Sequence, residues 1–163
     1  MIKKKQIGMS SCLAGQFVRY DGENEYRAEL YQNLQQRYQI LSFCPEVAIG
    51  LTIPRPAIHL RQINQQIRVL DKQTGQKDYT EQLYRYAKLV AQRYPNLHAY
   101  IFKQSSPSCG LGKTKLHTAN GQFTQQFTDG IFAQQLSSLL PNMLIYTEDS
   151  SEILTLLNKN RTF

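Results

Sequence analysis

The chain has 163 residues, of which 41% are hydrophobic and 10% aromatic, so it can bury a core and is not an intrinsically disordered protein. No apolar run is long enough to span a membrane and no apolar segment follows the basic start, which predicts a cytoplasmic protein without a membrane partner. The formal net charge of +7 is compatible with a solvated basic surface or with an anionic partner such as a nucleotide or RNA.

Hydrophobic periodicity predicts strands that alternate with helices along the chain. The predicted strands are Lys5–Ser10, Ile40–Phe43, Ile67–Leu70, Ala99–Lys103 and Met143–Thr147. The predicted helices are Tyr26–Tyr38, Tyr79–Tyr94, Gly130–Leu140 and Ser150–Asn158, the last with Ser150 or Ser151 as its N-cap. This alternation predicts one α/β domain over residues 1–163, with a mostly parallel sheet flanked by helices.

Three cysteines, the only ones in the chain, fall where predicted strands end. Cys12 follows the first strand, Cys44 ends the second, and Cys109 lies in the loop after the strand Ala99–Lys103. Because the carboxyl ends of parallel strands meet at one edge of a sheet, we expect the three thiols to be neighbours in space. An odd number of cysteines in a cytoplasmic chain does not favour a disulfide framework.

The residues alone leave several interpretations of these cysteines open. Unrelated buried thiols are as compatible with the pattern as a shared metal site, since free cysteine is common in protein cores. Structural zinc is disfavoured, because it takes four ligands and usually a Cys-x-x-Cys pair, which the chain lacks. A lone cysteine nucleophile would need a base, and the available histidines are His59, His98 and His117.

The segments around the cysteines are small, turn-forming and rich in serine. A cluster of irons and sulfides needs hydrogen-bond donors around it, and serine hydroxyls can supply them. The candidate donors are Ser10, Ser11 and Ser108. This composition favours an iron–sulfur cluster at the predicted edge of the sheet.

Five motifs occur in order along the chain: Gly8–Gly15 (GMSSCLAG), Val18–Gly22 (VRYDG), Cys44–Val47 (CPEV), Pro54–Pro56 (PRP) and Lys103–Gly110 (KQSSPSCG). Together they closely resemble the TudS-like thiouracil desulfidase family, long described as a bacterial domain of unknown function. The likeness runs from Gly8 to about Thr147, which is nearly the whole chain. The motifs are specific in combination, although none would be alone.

The resemblance implies a Rossmann-like single domain that carries a 4Fe–4S cluster on Cys12, Cys44 and Cys109. It also implies an enzyme that removes sulfur from thiouracil or thiouridine by hydrolysis and releases sulfide. Three protein ligands would leave one iron open to act as a Lewis acid. The residues that would contact the substrate or move protons are Asp21, Glu46 and Ser106.

Three departures from the family pattern concern the substrate. Ala48–Gly50 replaces a usual pair of glycines, His59 stands near the place of a usual glutamate, and Leu111–Phe127 matches poorly. The substrate could therefore be a free base, a nucleoside or thiolated tRNA. The alternative functions are a non-catalytic basic nucleic-acid-binding module and a redox sensor that uses the same cluster.

Overall fold

A computed structural model describes residues 3–158 as two four-stranded sheets with helices packed against them. The strands are β1 (Gln6–Ser10), β2 (Gln39–Phe43), β3 (Ile58–Ile63), β4 (Gln66–Asp71), β5 (Ala99–Phe102), β6 (Thr114–His117), β7 (Phe123–Thr128) and β8 (Leu144–Thr147). The helices are α1 (Ala28–Gln35), α2 (Pro45–Ala48), α3 (Thr80–Arg93), α4 (Ile131–Leu139) and α5 (Ile153–Asn158). Within these residues, none of the helices has the length and apolar character needed to cross a membrane.

The first sheet, sheet A, is entirely parallel and has the strand order β2-β1-β5-β8. Alternate residues of β5 point to opposite faces: Tyr100 and Phe102 pack with α3 and α4, while Ala99 and Ile101 pack with α1 and α5. All four residues are fully buried, as expected for a parallel sheet that is covered on both faces. The predicted α/β class with a mostly parallel sheet flanked by helices is confirmed.

The second sheet, sheet B, is mixed and has the order β4-β3-β6-β7. The sequence predicts only β4 among its strands. The hairpin between β3 and β4 turns at Asn64 and Gln65, which both have positive φ, so the glycine that usually signals such a turn is missing. Strand β7 (FTQQFT) is polar and mostly exposed, so it lacks the apolar alternation of a half-buried strand.

Two helix starts differ from the prediction because local polar groups compete for the backbone. Helix α1 begins at Ala28 instead of Tyr26, since the Tyr26 N–H donates to the Asn24 side chain in a turn. Helix α5 begins at Ile153, and the predicted serine caps are wrong. The Ser150 hydroxyl instead accepts a hydrogen bond from the N–H of Thr147, at the end of β8.

Gly8 on β1 is required by its neighbour on β5. It pairs with Tyr100, and a Cβ at Gly8 would overlap the fully buried tyrosine ring. We expect Gly8→Ala to lower the free energy of unfolding by about 1–3 kcal/mol, because overpacking forces side chains and backbone to shift. Urea denaturation under anaerobic conditions measures this, with the exposed Leu89→Ala on α3 as a control that changes stability by less than about 0.5 kcal/mol. Equal midpoints for the two variants would contradict the expectation.

Candidate functional site

A cavity of about 340 Å³ opens at the carboxyl edge of sheet A. Its walls are formed mainly by the segments that follow β1, β2 and β5, which is where ligands bind in open α/β sheets. The predicted site residues that line it are Ser10, Ser11, Cys12, Cys44, Glu46, Ser106, Ser108 and Cys109. Strand order thus brings together residues that are almost a hundred positions apart in sequence.

The three thiols are free; Cys12 and Cys109 are buried, and Cys44 is half-buried. Burial raises the pKa of Cys12 to about 11, and it also raises the pKa values of Cys44 and Cys109. Charge on Cys44 raises the pKa of Cys12, and charge on either raises that of Cys109, so the sulfurs lie within electrostatic reach of one another. A bound metal cation would lower these pKa values again, because a coordinating thiol is deprotonated outright.

The arrangement of donors distinguishes a cluster from a single ion. Among residues 3–158, no three His, Cys, Asp or Glu side chains converge closely enough to hold one metal ion. The protein ligands of a four-iron cluster bind different irons, so they stand further apart than the ligands of one ion. Three thiols around one cavity, without a histidine or a fourth cysteine, therefore fit a 4Fe–4S cluster better than a structural zinc site.

Glu46 is held from two sides at the cavity wall. Pro45 opens the short helix α2 directly after Cys44, and this places Glu46 in the first turn. Its Oε1 accepts a hydrogen bond from Ser108 Oγ at 2.7 Å, and its Oε2 lies 2.9 Å from Arg55 Nε. The Arg55 side chain is only 4% exposed, and its guanidinium also donates to two backbone carbonyls. Arg55 is therefore held in one position beside Glu46.

The loop that carries Cys109 is fixed by its own hydrogen bonds. Ser106 Oγ accepts the N–H groups of Ser108 and Cys109 at 3.3 and 3.1 Å. The carbonyl of Ser108 accepts the N–H of Ala133 in the first turn of α4, so this helix start anchors the loop. Gly130 is needed there, because a Cβ would come within 2.5 Å of the Ser108 carbonyl carbon.

An ion-pair network that the sequence did not predict lies beside the thiols. Lys103 Nζ is 2.8 Å from Glu148 Oε1 and 3.2 Å from Glu25 Oε2, and its charge lowers the pKa of Cys12 against the larger effect of burial. Arg19 pairs with Glu25 on the opposite side. Glu148 directly follows β8, so the strand-end pattern that singled out the cysteines could have found it, whereas Glu25 carries no such signal.

Asp21 is placed apart from the other predicted site residues. It does not belong to the cavity lining, and its carboxylate accepts the N–H of Glu23 in an exposed turn. Its Oδ1 is 3.6 Å from Arg19 Nε, and Arg19 does line the cavity. Asp21 can therefore influence the cavity through Arg19.

The comparisons with known proteins agree with this geometry. The sequence model of the 2-thiouracil desulfurase family matches residues 7–148. The chain belongs to this family. Among solved structures, the chain is similar to the 4Fe–4S-dependent thiouracil desulfidase TudS, with a TM-score of 0.70 and 32% identity over 94% of this chain and 97% of that chain. A comparison with curated proteins gives no match. The family resemblance inferred from the motifs is confirmed.

The ion pair between Lys103 and Glu148 gives a stability prediction. The Glu148 side chain is 1% exposed and also accepts the N–H of Gln104, so Glu148→Ala leaves a partly buried ammonium and a backbone donor without this partner. We expect the free energy of unfolding to fall by about 3 kcal/mol. The adjacent Asp149→Ala is the control: its pair with Arg27 is exposed, and the loss should stay below about 1 kcal/mol. Urea denaturation that finds equal losses would contradict the role of Glu148.

Proposed function

We propose that the chain is a 4Fe–4S-dependent desulfidase that acts on thiouracil or thiouridine-type substrates. The observation that carries the proposal is that three free cysteines and the oriented carboxylate of Glu46 line one cavity, in a member of the 2-thiouracil desulfurase family. The balanced reaction takes the C=S group and one water to a C=O group and hydrogen sulfide. No net oxidation or reduction is needed.

We propose Cys12, Cys44 and Cys109 as the cluster ligands. A cluster held by three cysteines would supply an iron without a protein ligand, a Lewis acid for a thiocarbonyl sulfur. The proposed hydrogen-bond donors to cluster sulfur are Ser10 and Ser11, which line the same cavity. Ser108, predicted with them, lines the cavity too, but its hydroxyl donates to Glu46 instead.

Glu46 is the proposed general acid–base group. When water attacks the carbon of the thiocarbonyl, Glu46 would accept a proton from the water and deliver it to the departing sulfur. Arg55 and Ser108 support this role because they fix both carboxylate oxygens before a substrate binds. Ser106, whose hydroxyl is 3.4 Å from that of Ser108, is the proposed contact to the pyrimidine. A role for Asp21 stays a prediction, and its contact with Arg19 favours positioning over direct contact.

The cavity favours a small substrate. Its volume of about 340 Å³ is at the lower end of ligand pockets, and the proposed cluster would take part of it, so the space that remains suits a pyrimidine base or nucleoside. A thiolated base within tRNA would have to leave its stack to reach the thiols, as flipped bases do in other enzymes. Sulfide release from free thiouracils, thionucleosides and thiolated tRNA, measured side by side, ranks these substrates. It also separates the enzyme from a redox sensor, which would release none.

Loading and removing the cluster tests the ligand assignment. Anaerobically reconstituted protein should bind about four irons per chain and release sulfide from 2- or 4-thiouracil. Cys109→Ser should bind substantially less iron, lose the visible absorption of the cluster and release no sulfide. Chelation of iron from the wild-type protein should abolish turnover and reconstitution should restore it. A full cluster in the Cys109→Ser protein would refute Cys109 as a ligand.

The role of Glu46 is tested by a substitution that keeps the shape of the side chain. We expect Glu46→Gln to lower kcat about 10²–10⁴-fold, the usual contribution of a general acid–base group, with unchanged iron content. Glu29→Gln is the matched control, since Glu29 is exposed in the first turn of α1 and does not line the cavity. Unchanged turnover in Glu46→Gln would rule out its proposed role while leaving the cluster assignment intact.

A further inference from the structure

Sheet B has a second face that the catalytic cavity does not use. One face packs on α3 and α4 through Ile58, Leu60, Val69 and Leu116. Neighbours along each strand point to the opposite side, and cross-strand partners share a side. Register pairs Arg61 with both Arg68 and His117, Lys115 with Phe127, and His117 with Phe123. The outer face of sheet B therefore includes Arg61, Arg68, Lys115, His117, Phe123 and Phe127. His59 and its partner Leu70 lie on the same side but are buried.

Aromatic rings lie exposed along the β7 edge of this outer face. Phe123 and Phe127 are 42% and 54% exposed, and their ring centroids are 5.5 Å apart. The ring of His117 is 6.1 Å from that of Phe123, and Lys115 Nζ stands 5.4 Å from the Phe123 centroid. The rings are inclined to one another, by 68° between Phe123 and Phe127 and by 54° between His117 and Phe123, so planar groups can stack on the individual exposed rings and not on one common plane.

Two of the cations on the outer face lack acidic partners in the described part of the chain, whereas the third, Arg68, pairs with Asp78. Within residues 3–158, no carboxylate forms an ion pair with Arg61 or Lys115, whereas all three cations that line the cavity are paired. The unpaired cations that contribute to the net charge of +7 therefore lie on surfaces such as this one and not in the cavity. Unpaired cations beside exposed rings complement a ligand that is both anionic and aromatic.

The guanidinium of Arg61 is held in place by its surroundings. It donates to His59 and to the carbonyl of Ala119. A Cβ at Gly75 would overlap Arg61, and one at Gly121 would come within 3.3 Å of it, so both turns make room for the guanidinium. Burial and the charge of Arg61 lower the pKa of His59 to about 4, so the imidazole is neutral near pH 7 and serves as the acceptor.

We propose that the outer face of sheet B is a docking surface for single-stranded nucleic acid. Exposed rings stack on bases, and neighbouring cations meet phosphates, which is how sequence-tolerant single-strand binders work. Four strands about 4.8 Å apart span roughly 15 Å, room for two or three stacked bases. An acidic peptide would use the charges but not the rings, and a base-paired duplex would offer phosphates without unstacked bases. None of the residues of the outer face lines the cavity, so this surface is separate from the proposed desulfidation.

Fluorescence anisotropy with a labelled, sulfur-free, single-stranded 12-nucleotide RNA tests the proposal on the anaerobically purified, cluster-loaded full chain. Phe123→Ala/Phe127→Ala should bind about tenfold more weakly than wild type. Lys115→Gln should reduce the slope of log K against log salt concentration by about 0.7, the value of one phosphate contact to a single strand. Lys88→Gln and Leu89→Ala, exposed on α3, are matched controls and should bind as wild type.

Several results would overturn the proposal. One is wild-type affinity in the double phenylalanine variant, and another is an unchanged salt slope in Lys115→Gln. Equal competition by polyglutamate would indicate an acidic peptide site, and equal binding of a duplex would indicate charge attraction alone. Iron content and the far-UV circular dichroism spectrum check that each variant is folded, and both should equal those of wild type because none of these residues lines the cavity. Since binding is measured without turnover, failure of the desulfidase proposal would leave this test valid.

Discussion

Parallel pairing of β1 with both β2 and β5 is the constraint on which the site depends. It aligns three strand ends, and the segments that follow them carry Cys12, Cys44 and Cys109 to one cavity. This pairing places Gly8 directly against the buried ring of Tyr100, where any side chain on Gly8 would overlap the ring. The same alignment buries the thiols and makes their ionisation costly. Such a site disfavours isolated thiolates but supplies three sulfur ligands. It therefore suits a cationic cluster of irons.

Paired charges make this edge of the sheet rigid. Burying an ion pair contributes little net stability, since desolvation opposes the attraction, but it fixes where each group lies. Arg55 fixes Glu46, and Glu148 fixes both Lys103 and the backbone at the start of the Cys109 loop. The cavity is therefore lined by charges that already have partners. Such a lining keeps its geometry without help from a substrate, which is what proton transfer at a fixed distance requires.

Hydrophobic period and strand order sufficed to predict sheet A and the edge where the cysteines meet. The predicted helix Tyr79–Tyr94 differs from α3 by one residue at each end, because its apolar face is regular and a proline follows it. The strands of sheet B other than β4 were not predicted, because the turn at Asn64 lacks a glycine and strand β7 is polar. The partners of Arg55 and Glu148 could not be predicted either, since ion pairing between distant segments depends on tertiary geometry that no local pattern records.

Helices α3 and α4 lie between the two sheets and contribute to the core of each. The start of α4 contacts the Cys109 loop through Gly130 and Ala133, and Cys109 belongs to the same core cluster as Ala87 and Val90 of α3. The hairpin of β6 and β7 contacts this loop where β6 begins, because the Thr114 hydroxyl donates to the Ser106 carbonyl, whereas the outer-face residues Lys115, Phe123 and Phe127 do not line the cavity. These outer side chains can therefore change in evolution without altering the lining of the cavity. Such a division lets one family keep its chemistry while individual members acquire different associations.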